Sequence, residues 1–176
     1  MGVVLIDWTA RVTVACIAAR VVLALSRHSR MPRFGEVVLW TIGWALLVVH
    51  VACAFHFQHG WSHAAACEHT ARRTAETVGW HWGGGVYFNY LTVAIWGVDA
   101  AVFVRSYRKA GPAPRIWSLF ARAWIGFMVV NATLVFGPRW WWLVAVSVTT
   151  AAVVAHVYRR HSRSASPDRL DEVHLR

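Results

Sequence analysis

Five apolar stretches, each close to the length that crosses a bilayer as a helix, dominate this chain of 176 residues. A membrane's hydrocarbon core is about 30 Å thick and takes about 20 mostly apolar residues in helix. Inside it, backbone N–H and C=O groups must find partners within the protein, and a helix supplies them within one segment. The stretches run from about Val3 to Leu25, Val37 to Phe57, Val86 to Val104, Ile116 to Phe136 and Trp140 to Val157. The expectation is an all-α polytopic bundle of five transmembrane helices, one domain over residues 1–158, with a polar tail at 159–176. Asp7, Arg11 and Arg20 make the first stretch the least regular. It has no basic start, and Asp7 and Arg11 interrupt it, so it reads as a retained helix and not a signal peptide. Gly137-Pro138-Arg139 sets a tight turn before the last stretch, because proline cannot continue a helix.

The formal charge of +10 comes from short basic clusters between apolar runs. That distribution suits membrane topology and anionic-lipid contact and argues against nucleic acid. Arg27, Arg30 and Arg33 fall in the first connection, Arg105, Arg108, Lys109 and Arg115 in the third, and Arg159, Arg160 and Arg163 in the tail. With five crossings these share one side, opposed only by Arg72, Arg73 and Arg139. Basic connections stay cytoplasmic, which puts the N-terminus outside and the C-terminus inside, in a bacterial inner (plasma) membrane. Of the 12 tryptophans, Trp61, Trp80, Trp82 and the Trp140–Trp142 run fall near the outer boundary, where indoles anchor at headgroups. Cys16, Cys53 and Cys67 are too few and too scattered for a disulfide framework.

The connection 58–85 carries the chemistry. If the second helix continues outward, His59 lies about 60° and His63 about 20° around it from His56, with Cys67 about 20° to the other side. Thr70, Thr74 and Thr77 extend that stripe. Neutral imidazoles four residues apart share a transition metal such as Zn, Cu or Fe. The candidate ligands are His56, His59, His63, Glu68 and His69. A b-type haem is the alternative, with His50 or His56 and His81 as axial ligands. Against both stands a plain interfacial role, since the region has no HExxH glutamate and no CxxC. His69, Arg73 and Glu76 form a second face at helical spacing, and Gly83-Gly84-Gly85 gives a tight re-entry into the bilayer.

Charges inside the apolar stretches form a second group. At about 1.5 Å per residue, Asp99 and Arg122 lie roughly 9 Å, and Arg20 roughly 8 Å, from the inner boundary. The three fit a buried ion cluster, with Glu36 nearer the surface. Arg11, His50 and Asn131 share an outer-half depth, and Asn131 is expected to bond a neighbouring helix. Three functions are compatible with these features: a membrane protein with an outer transition-metal site, a haem electron-transfer subunit, or a non-enzymatic accessory or scaffold subunit. Association into a homo-oligomer or larger membrane complex fits each, and the Ala15/Ala19 spacing permits close helix packing.

Overall fold

A computed structural model describes residues 1–26 and 34–164. Among them are six α-helices: α1 (Gly2–Ser26), α2 (Phe34–Phe57), α3 (His63–Val78), α4 (Gly85–Arg108), α5 (Arg115–Val130) and α6 (Trp141–Ser164). A π-helical stretch, Asn131–Val135, extends α5, and no strand occurs among the described residues. Four helical runs are long and apolar enough to cross a membrane: Gly2–Leu25, Phe34–Phe57, Gly85–Arg108 and Arg115–Val135. They coincide with the first four apolar stretches. The apolar part of α6 is shorter, Trp141–Val154, while the helix itself runs on to Ser164, into the segment expected as tail. Arg27, Arg30, Arg33 and residues 165–176 lie outside the described residues.

The long helices form a ring. α1 packs along α2, α2 along α4 and α4 along α5; α6 closes it against α1 and the π-helical stretch. The chain order places α3 at the end of the bundle where α2 stops and α4 begins, and it packs on α4. Trp40 and Trp96 centre the core, rings 4.9 Å apart, with Val37, Ala100, Phe103 and Ile125 around them. Gly43 makes this possible, since a Cβ there would sit 3.0 Å from the Trp96 ring.

The polar interior follows the depth arithmetic. Asp99 is 1% exposed and accepts a 2.8 Å hydrogen bond from Trp40 Nε1. Its carboxylate also feels the guanidinium groups of Arg122 and Arg20. Arg20 stacks over Trp40 at 4.3 Å and Phe103 at 5.0 Å, and Arg122 lies 5.8 Å from the Phe103 ring. Four helices therefore meet through one acid, two cations and their aromatic faces. Glu36, expected nearer the membrane surface, sits in the first turn of α2 and is 0% exposed. Asn131 departs from the expectation, because its amide donates to Phe127 O at 2.9 Å within its own helix. Arg11, expected at a depth similar to His50 and Asn131, pairs with Asp7 at 3.8 Å and stacks on Trp8 and Trp140.

α2 does not continue into the histidine region. Gly60 and Trp61 take left-handed backbones, φ 53° and 61°, and Trp61 N–H bonds back to Phe55 O at 2.9 Å. That closure spans seven residues, one more than a Schellman turn, and its two left-handed residues end the helix. Ser62 then starts a new one, its hydroxyl accepting from Ala65 N–H at 3.2 Å.

Replacing Asp99 by alanine removes the acceptor of the Trp40 indole and the charge facing two arginines. The expected loss is about 3 kcal/mol of stability. Asp99→Asn keeps an oxygen for Trp40 and is expected to lose less. Thermal unfolding of both variants in detergent gives the order.

Candidate functional site

At the α3 end, the helices line a partly open chamber of about 200 Å³. Ala10, Thr13, Val14 and Ile17 of α1 and Leu47, His50, Val51, Ala54 and Phe55 of α2 form one side. Val86, Asn89, Tyr90, Thr92 and Trp96 of α4 form another, and Ile125, Met128, Val129 and Ala132 the third. His59 and two residues of α3, Ala66 and Thr70, complete the lining. The wall is mostly apolar, with polar groups at a few points, which is the usual make-up of a small-molecule site.

Those polar groups have distinct states. His50 Nδ1 lies 3.0 Å from Ile6 O and 3.3 Å from Thr9 Oγ1, a link from α2 to α1. A carbonyl only accepts, so Nδ1 carries the proton and Nε2 of the neutral ring is an acceptor. The Thr92 hydroxyl donates to Phe88 O at 2.7 Å and accepts from Trp124 Nε1 at 3.0 Å. Trp96 Nε1 and Thr13 Oγ1 are buried and have no hydrogen-bond partner among the described residues. Leaving such a group unpaired costs about 1–3 kcal/mol.

The histidines above the chamber do not converge. His56 accepts from Trp61 Nε1 at 3.2 Å and meets the Phe57 ring edge-on. His59 faces His69 with ring centroids 5.3 Å apart, and Phe55 at 5.7 Å. His63 lies between two hydroxyls, Tyr90 at 3.0 Å from Nδ1 and Tyr87 at 3.2 Å from Nε2, with Cys67 Sγ 3.4 Å from Nε2. Glu68 lies 3.8 Å from both Arg72 and His81. The single stripe expected through His56, His59 and His63 fails because the left-handed turn at Gly60 and Trp61 re-aims everything after it. Among the described residues no three His, Cys, Asp or Glu side chains are grouped to hold a metal ion, so His56, His59, His63, Glu68 and His69 form no such set. Of the haem candidates, His50 is bonded to α1, His56 to Trp61, and His81 lies 3.8 Å from Glu68.

Within α3 part of the stripe holds. His63, Cys67 and Thr70 face the start of α4 and its glycine run and Thr74 is buried, while Thr77 is exposed. A Cβ at Gly83 would lie 2.6 Å from Cys67 O, and one at Gly85 3.0 Å from Thr70 Cγ2. The glycines thus permit contact of backbone with backbone. On the far face Arg73 bonds Glu76 at 3.1 Å, as its spacing implied, and also reaches Phe136 O at 3.3 Å, tying α3 to the end of the π-helical stretch. Tyr87, Asn89, Tyr90 and Trp96 were not singled out as site residues from sequence. The i, i+3 spacing of Tyr87 and Tyr90 was the available signal.

The chain matches no protein-family model, no curated protein and no solved structure. The geometry is therefore the whole basis for a functional reading.

His59 supplies a pH test. Burial and the neighbouring His69 hold its pKa below the ordinary histidine value. Above about pH 6.5 the ring is neutral both folded and unfolded, and contributes nothing to pH dependence. As pH falls below that, the unfolded chain takes up the proton more readily and stability is lost. Melting temperature is expected to fall between pH 7.5 and 5.5, and the fall should shrink in His59→Gln.

Proposed function

We propose that this is a five-span membrane protein, N-terminus outside and α3 on the outer face, that binds a small, mostly apolar molecule in the chamber beneath α3. The described basic residues support the orientation: Arg105, Arg108, Lys109 and Arg115 lie at the end away from α3, against Arg72, Arg73 and Arg139 at the other. The setting is a bacterial plasma membrane, where positive connections face the cytoplasm. In this reading α6 is the fifth crossing, its apolar part Trp141–Val154 being carried on to the basic surface by the rest of a 24-residue helix.

One observation carries the binding role: a partly open chamber whose apolar wall is punctuated by groups of fixed hydrogen-bonding character. Trp96 Nε1 donates only, and His50 Nε2 accepts. A ligand with an apolar body and a carbonyl or hydroxyl complements that wall better than a hydrocarbon or an ion does. The hydrogen-bonded row Tyr87–His63–Tyr90 leads from the surface of α4 and α3 to a chamber-lining residue. It gives the site a path along which a proton can be handed on. The reading is of a binding protein, and it supports no particular reaction.

Intact-protein mass spectrometry with 4-methylphenol and with toluene, molecules of similar size, tests this. The phenol is expected to bind about tenfold more tightly, the worth of about one net hydrogen bond. Ala54→Phe, which fills the chamber, should abolish binding of both while the protein stays folded. Equal binding of both probes, or unchanged binding in Ala54→Phe, would remove the chamber as the site.

A further inference from the structure

Independently of the chamber, a groove of about 580 Å³ opens between α2 and α4 toward the end of the bundle away from α3. Thr41 and Trp44 line it from α2, and Gly97, Ala101 and Val104 from α4. Arg105, Arg108 and Lys109 line its far end, and all three are exposed. From Gly97 to Arg108 the helix rises about 16 Å, half the thickness of a hydrocarbon core. The groove therefore follows the depth of one leaflet, apolar where acyl chains lie and cationic where headgroups lie. Gly97 lets the helices close up behind it, since a Cβ there would meet Trp44 Nε1 at 3.0 Å, and that indole is bonded to Val93 O.

We propose that this groove is a binding site for one anionic phospholipid, its acyl chain against Ala101 and Trp44 and its phosphate on Arg105, Arg108 and Lys109. Charge and shape argue together for this occupant. Three cations within five residues exceed what is needed to offset a helix C-terminus, whose partial charge is about half a unit. Another transmembrane helix would have to bury those cations at its edge, whereas a phosphate pairs with them in place. Arginine forks match phosphate oxygens in two parallel bonds.

The test is native mass spectrometry of the full chain in detergent, titrated with phosphatidylglycerol and phosphatidylcholine of identical acyl chains. The anionic lipid is expected to bind about tenfold more tightly or better, the worth of one to two basic contacts. That preference should vanish in Arg105→Gln/Arg108→Gln/Lys109→Gln. Ala101→Trp, an exposed position that keeps every charge, should weaken both lipids by filling the groove. Equal binding of the two lipids, or a preference that survives the triple variant, would overturn the proposal. Unchanged lipid binding in Ala101→Trp, with glycerol phosphate competing fully, would reduce the site to a surface anion patch and overturn it as well.

Discussion

The hydrogen bond from Trp40 to Asp99 is the interaction around which the bundle is arranged. A carboxylate in the apolar layer of a membrane is tolerated only where donors and opposite charge reach it. Here the donor comes from α2, the acid from α4, and the cations from α1 and α5. Bringing those four groups to one point fixes the rotation of four helices at once, which apolar packing alone does poorly between lipid-like surfaces. The aromatic rings of Trp40 and Phe103 cover the guanidinium of Arg20, and so replace part of the water it has lost.

That convergence lies toward one end, and the opposite end is built differently. There the helices are joined by contacts around the space they line: His50 to Ile6, Trp124 to Thr92, Arg73 to Phe136. α3 covers this end because α2 terminates where Gly60 and Trp61 turn left-handed, and because Gly83 and Gly85, lacking side chains of their own, let the returning chain lie close against Cys67 and Thr70. The division of labour is spatial, with charge pairing at one end and a cavity at the other.

Much of this was legible in the chain. Apolar run lengths located four membrane-length helices, because the bilayer leaves little freedom in length. Depth alone brought Arg20, Asp99 and Arg122 together, since residues at equal depth in adjacent helices are the available partners. Depth says nothing about rotation, so it does not reveal that Glu36, in the first turn of α2, is fully covered by protein. The histidine stripe failed for a local reason: two left-handed residues break the 100° step on which the phase argument rests. Inside α3, where no such break occurs, the same arithmetic serves from His63 to Thr74, and Thr77 beyond it is exposed. Tyr87 and Tyr90 escaped notice because their significance lies in His63, which reaches them across a loop. A chamber is a property of how five helices fail to fill space, and no single segment encodes it.

His63 has a consequence beyond its own bonds. A neutral imidazole carries one N–H, so of its two tyrosine neighbours one must give a proton and the other receive one. With hydrogen on Nδ1, Tyr90 receives and its own hydroxyl hydrogen is free for another acceptor; with hydrogen on Nε2, Tyr90 gives and has only lone pairs to offer. The row has two polarities that exchange as a unit. The character that Tyr90 brings to the chamber wall is thus written by the tautomer of a residue outside it.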